Sequence, residues 1–224
     1  LITERPGRLR RVHAGRLVAD PVADVPAVLA SGQGGLLDVS PHPQFTQNKR
    51  LFFSYAHGSD AANRTRVAAA TIRGMALEDW QVIFEVARTK SGGQHFGSRL
   101  AWLPDGTLLI TIGDGGNPPV RLDGGWIRKQ AQNKGAHLGK VIRINADGAI
   151  PADNPFVNDA DALPAVWSYG HRNIQGIVFD PLRNVVWASE HGALGGDELN
   201  RLEAGQNYGW PTVTYSREYV GGLK

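Results

Sequence analysis

Two adjoining segments decide the fold: Arg99-Leu-Ala-Trp-Leu-Pro-Asp-Gly106, and directly after it Thr107-Leu-Leu-Ile-Thr-Ile-Gly-Asp-Gly115. Short apolar runs on either side of a Pro-Asp-Gly turn read as a β-hairpin. The same design recurs before and after. Gly35-Leu-Leu-Asp-Val-Ser-Pro-His-Pro43 leads into Arg50-Leu-Phe-Phe-Ser-Tyr-Ala-His-Gly58, and Gln175-Gly-Ile-Val-Phe-Asp-Pro181 leads into Asn184-Val-Val-Trp-Ala-Ser-Glu-His-Gly192. A third strand follows each pair: Arg66 to Gly74, Gly139 to Gly148 and Glu198 to Gly205. The opening, Leu1 to Val12, matches the second and third strands of an earlier unit.

Repeated antiparallel units of this kind are the blades of a β-propeller. Pro43, Pro104 and Pro181 are spaced more widely than the roughly 40 to 50 residues of simple propeller repeats, so long insertions separate the strands. Asn117 to Gly125 and Ala146 to Ala162 are expected to be exposed loops. The one stretch long enough for a helix, Ala61 to Leu77, is too β-branched and contains a Gly. The expected domain is 1–224, a single β-propeller domain incomplete at both ends, because four units, one of them partial, are few for a closed ring.

Bulk properties narrow the function. With 24 Lys+Arg against 21 Asp+Glu the net charge is only +3. The early basic cluster (Arg5, Arg8, Arg10, Arg11, Arg16) has no interleaved aromatics, so it reads as a solvated strand surface and no nucleic-acid partner is expected. No apolar run approaches the roughly 20 residues of a membrane span. The chain has no Cys, which removes disulfides, thiolate metal sites and a Cys nucleophile. Asn63-Arg64-Thr65 fits a glycosylation sequon by chance.

Three segments carry candidate chemistry. His95 precedes the first strand of its blade in Gly92-Gly-Gln-His-Phe-Gly97, where flanking glycines bring the backbone close to a ligand and keep the imidazole accessible. Asp114 ends the next strand of that blade and is placed to orient the histidine as a general base; a turn His with a capping Asp is the plainer reading. Arg172 and Asn173 occupy the matching position one blade later and offer a cation and an amide to carbonyl or carboxylate oxygens. Glu190 to Asn200 combines a flexible backbone with acids, as a Ca²⁺ site or as an ordinary turn with surface carboxylates.

As an ordered set, the motifs resemble the glucose/sorbosone dehydrogenase family, the soluble dehydrogenases of aldose sugars that use pyrroloquinoline quinone (PQQ). The matching stretches are Gly32-Gln-Gly-Gly-Leu-Leu-Asp-Val39 with Pro41-His-Pro-Gln-Phe45, Gly93-Gln-His-Phe-Gly-Ser-Arg-Leu100, Thr111-Ile-Gly-Asp114, Tyr169-Gly-His-Arg-Asn-Ile-Gln-Gly176, and Gly196-Asp-Glu-Leu-Asn200 with Asn207-Tyr-Gly-Trp-Pro211. The resemblance implies a six-bladed β-propeller of four-stranded antiparallel blades, of which about four lie in this chain. It implies oxidation of an aldose to a lactone by hydride transfer to PQQ, with calcium as Lewis acid.

In that pattern His95 is the base, Asp114 orients it, and Arg172 stands beside the quinone carbonyl with Asn173. Gln33 touches the cofactor and substrate region. The carbonyls of Gly192 and Ala193 hold the cofactor calcium, and Glu198 and Tyr208 are ligands of a second, structural calcium. Ala193 replaces a proline of some relatives, and Gln94 stands where glucose-specific relatives have an acid, so a preference for glucose is not implied. The family's cations for the quinone carboxylates come from later blades, beyond Lys224. The resemblance further implies a periplasmic or secreted protein, monomeric or homodimeric, passing electrons to a separate acceptor. A non-catalytic propeller scaffold and a calcium-dependent lactonase are the competing readings.

Overall fold

The computed structural model describes residues 1–217 and Tyr219. Strand residues far outnumber helical ones, and the chain forms two compact units, Leu1–Gln94 and His95–Lys224.

The first unit opens with two short hairpins, β1 (Ile2–Glu4) with β2 (Arg8–Arg10) and β3 (Val12–His13) with β4 (Arg16–Leu17). A four-stranded antiparallel sheet follows in chain order: β5 (Leu36–Pro41), β6 (Arg50–Gly58), β7 (Asn63–Arg73) and β8 (Ala76–Glu85). One helical turn, α1 (Phe45–Asn48), carries the chain from β5 to β6. Period-two alternation sends Leu51, Phe53 and Tyr55 of β6 to one face, where they pack with Leu9, Leu36, Ala68, Ala70 and Leu77. The small alanines of β7 let that layer close tightly. The stretch Ala61 to Leu77 is therefore strand, as its β-branched residues favour. Asn63 is fully buried and donates to the carbonyls of Ser59 and Gly92, so the sequon is a structural corner.

The second unit holds another four-stranded sheet of β9 (Leu100–Trp102), β10 (Leu108–Ile112), β13 (Lys140–Ile144) and β14 (Val166–Tyr169), in the order β9-β10-β13-β14. Between β10 and β13 lie the hairpin β11 (Arg121–Leu122) with β12 (Gly125–Trp126) and a 3-10 helix over Ile127–Gln132. The loop expected at Asn117 to Gly125 thus contains most of a small hairpin. A three-stranded sheet, β15 (Ile174–Asp180), β16 (Val185–Glu190) and β17 (Glu198–Leu202), completes the unit.

All five residues of β10 are buried, as expected for a continuous Leu/Ile/Thr run with a layer on each side. Ala101, Leu109, Val141 and Trp167 of one sheet share a core with Ile174, Val186, Ala188 and Leu202 of the other. The loop 146–162 has no strand and is anchored by Arg143. That guanidinium bonds Asp105 at 2.6 Å and Asp153 at 2.9 Å, while the Asn154 amide returns to the Arg143 carbonyl at 3.0 Å. The chain is an all-β, partial β-propeller built from four-stranded antiparallel blades.

Candidate active site

The sheets of the second unit bring His95, Asp114, Arg172 and Asn173 together at their strand ends. Nδ1 of His95 lies 2.6 Å from Oδ1 of Asp114. The backbone of Gly97 donates to the Asn173 side-chain oxygen at 3.1 Å, and the amide of Asp114 donates to the Arg172 carbonyl at 2.7 Å. The His95 segment and the Arg172-Asn173 segment are thus laced through the end of β10. Gly113 is required here for space: a Cβ on it would overlap the His95 carbonyl. His95 itself has φ +50°, the left-handed region in which a non-glycine residue is held only by its surroundings.

The expectation that glycines leave the imidazole open is corrected. His95 is only 4% exposed and Asp114 is fully buried. The enclosing layer adds what local sequence could not show, since Trp210, remote in the chain, donates its indole N–H to Oδ2 of Asp114 at 2.7 Å. The carboxylate also accepts the Gly116 amide at 3.0 Å. A buried carboxyl group needs such partners.

Glu190 supplies the second anchor. Its Oε2 accepts the amides of Arg172 at 2.6 Å and Asn173 at 3.1 Å, while Oε1 lies 3.4 Å from Nδ1 of His171. His171 is fully buried, bonds Ser168 at 2.9 Å through Nε2, and stacks on Tyr208. The pairs His95–Asp114 and His171–Glu190 each span nineteen residues, from the segment before a sheet's first strand to the end of the next strand. That repeated interval was readable in the sequence and would have singled out Glu190. The reading of the segment as a turn with surface acids does not hold for Glu190, which is 6% exposed.

Arg172 is buried and heavily constrained. Its terminal nitrogens donate to the His191 carbonyl and to Asn117 Oδ1, each at 3.0 Å, and its guanidinium lies 5.4 Å from the Trp210 ring centre. Its Nε is buried with no hydrogen-bond partner among the described residues. A buried unmatched donor on a cation suits the oxygen of an anionic or carbonyl ligand.

The remaining expected site residues are distributed as follows. Gln33 lies in the first unit, where its amide donates to the Gly93 carbonyl at 2.6 Å. The amides of Gly192 and Ala193 are held by Asp197 Oδ1 at 2.8 Å and Ser216 Oγ at 3.0 Å. Glu198 sits opposite Glu190 in the β16–β17 ladder and accepts from Asn200 at 2.9 Å. The Tyr208 hydroxyl accepts the Glu203 amide and donates to the Arg201 carbonyl, both at 2.8 Å, and burial pushes its pKa up. The Glu198 and Tyr208 side chains therefore serve separate partners. Among the described residues no group of three or more His, Cys, Asp and Glu is placed to share a metal.

Behind the site, Lys140 Nζ donates to the carbonyls of Gln130, Ala131 and Leu138 at 2.7–3.0 Å. Burial lowers Lys140 to about 7, and burial with the Lys140 charge lowers His137 to about 4.

A family model described as Glucose / Sorbosone dehydrogenase matches residues 1–224. The chain belongs to that family. An uncharacterized protein of Synechocystis is 62% identical over 227 residues, covering 98% of this chain and 55% of its own length. The aldose sugar dehydrogenase YliI of Escherichia coli is 39% identical over 224 residues, covering 99% of this chain and 58% of its own. A solved glucose dehydrogenase superposes with a TM-score of 0.90 at 42% identity, over 98% of this chain and 61% of that one. The PQQ-bound aldose sugar dehydrogenase of Streptomyces coelicolor gives 0.74 at 30% identity, over 94% and 58%. The chain thus spans little more than half the length of these relatives. Among the described residues no helix is long and apolar enough to cross a membrane.

Proposed function

We propose that this protein oxidises aldose sugars to lactones in a PQQ- and calcium-dependent reaction, with His95 as general base. The observation that carries the reading is the buried His95–Asp114 pair laced to Arg172, whose Nε has no hydrogen-bond acceptor among the described residues. When bound, PQQ would supply the two-electron acceptor for the hydride leaving the anomeric carbon, and Ca²⁺ a Lewis acid beside it.

The protein's own part is proton management and positioning. Asp114 accepts from Nδ1 of His95, which fixes the tautomer and makes Nε2 the basic nitrogen. Nε2 takes the proton of the anomeric hydroxyl, and the C1–O bond becomes the lactone carbonyl. Asp114 then stabilises the imidazolium, as a buried carboxylate does for a catalytic histidine. Arg172 and Asn173 would hold the cofactor, and the arginine charge favours the state in which negative charge collects on a ligand oxygen. The carbonyls of Gly192 and Ala193 would hold the calcium; a second calcium at Glu198 and Tyr208 would need the Tyr208 main chain, because its hydroxyl already has two partners. A Cys-free composition is compatible with the periplasmic or secreted location this reading assigns.

The test is reconstitution of the full-length protein with PQQ and Ca²⁺, followed by dye reduction and lactone detection with a panel of aldoses. PQQ-dependent reduction coupled to lactone formation is expected. Aldose binding without reduction would favour a scaffold, and lactone hydrolysis without PQQ would favour a lactonase.

A further inference from the structure

The Asp114 carboxylate has two oxygens with different duties. Oδ1 faces Nδ1 of His95 at 2.6 Å and the Gly116 amide at 3.0 Å, whereas Oδ2 has the Trp210 indole N–H at 2.7 Å. An indole N–H can only donate, so Oδ2 must accept and cannot itself carry a proton toward it. The terminal torsion of an aspartate is broad, so geometry at Oδ1 alone leaves the carboxylate plane loosely fixed. Trp210 closes that freedom from the other side. Its own backbone is anchored twice, with its amide donating to the Gly170 carbonyl at 2.9 Å and its carbonyl accepting from Gln132 Nε2 at 2.7 Å.

The same indole touches the other working parts. Its ring lies 5.4 Å from the Arg172 guanidinium and packs with Ala131 and Ala193. We infer that Trp210 is the positioning residue of the base: it locks the Asp114 carboxylate in the single orientation that keeps His95 in its Nδ1–H tautomer, and seats Arg172 against the same ring. Its placement of His95 follows from geometry alone, while its kinetic consequence rests on the proposed dehydrogenase reading.

The experiment uses the full-length protein with ¹⁵N-labelled histidine, first without PQQ. Wild type should show the His95 ring as one tautomer, protonated at Nδ1, its signals assigned by their loss in His95→Gln. Trp210→Phe should move those ¹⁵N shifts toward an average of the two tautomers. In the loaded enzyme the same variant should lower kcat by about 10²-fold with KM within about threefold, the scale of a small misplacement of a catalytic group. Replacing Trp210 by 3-benzothienylalanine, which keeps the indole shape but has sulfur for the N–H, gives the same readout should the Phe variant fail to fold. Unchanged His95 shifts in either folded variant would overturn the inference. Altered shifts in a protein whose wild type oxidises no aldose would uphold it and reject the proposed function instead.

Discussion

Oε2 of Glu190 accepts the main-chain amide of Arg172 at 2.6 Å, and the same oxygen takes the Asn173 amide at 3.1 Å. One buried carboxylate at the end of β16 therefore holds the backbone of two proposed cofactor-binding residues. Removing it in Glu190→Ala leaves two buried N–H donors unmatched, each costing about 1–3 kcal/mol. Urea denaturation should show a loss of about 3 kcal/mol or more, and Glu190→Gln, which keeps an acceptor, less than half of that.

Arg172→Ala removes a cation together with its buried Nε donor, which has no hydrogen-bond partner among the described residues. Titration of PQQ into the full-length protein, followed by tryptophan quenching, should show affinity weakened by at least about tenfold, the loss of one charge-assisted bond. Arg172→Lys should not restore it, since an ammonium cannot reproduce the fork of contacts to His191 and Asn117. Equal affinity in all three proteins would remove Arg172 from the cofactor site.

Arg143 is an internal control remote from this chemistry. Its side chain is 8% exposed, but its partners Asp105 and Asp153 are 48% and 75% exposed, so the attraction is screened. Arg143→Met should cost about 2 kcal/mol in thermal or chemical unfolding, below the roughly 3–5 kcal/mol of a fully buried pair. PQQ affinity and kcat should remain at wild-type values.

His137 gives the pH dependence. Burial and the nearby Lys140 charge lower it to about 4, against an ordinary value of 6.5. Between those values the unfolded chain binds a proton that the folded protein refuses, so stability falls as pH drops through the window. Unfolding measured from pH 7 to pH 4 should therefore show a steeper loss for wild type than for His137→Gln. Parallel curves would mean that His137 is protonated in the fold.

Much of this architecture was legible because hairpin chemistry is local. The Pro104-Asp105-Gly106 turn and the apolar run Leu108 to Ile112 announce themselves within a dozen residues. Strand β8 did not, because Ala76 to Glu85 mixes charges with aromatics and is defined by its pairing to β7. The site divides in the same way. His95 and the Arg172-Asn173 pair sit at matching points of a repeated unit, and Asp114 ends the next strand of the His95 unit, which sequence shows directly. Trp210 reaches Asp114 across ninety-six residues, a contact that only packing creates. His95 is 4% exposed, although its flanking glycines suggested an open imidazole.

The most direct test of the central claim is steady-state aldose oxidation by the full-length, PQQ- and Ca²⁺-loaded protein, wild type against His95→Ala. If His95 is the base, kcat at saturating aldose should fall by about 10²–10⁴-fold while PQQ binding and folding persist. A His95→Ala protein within about threefold of wild type would contradict the account.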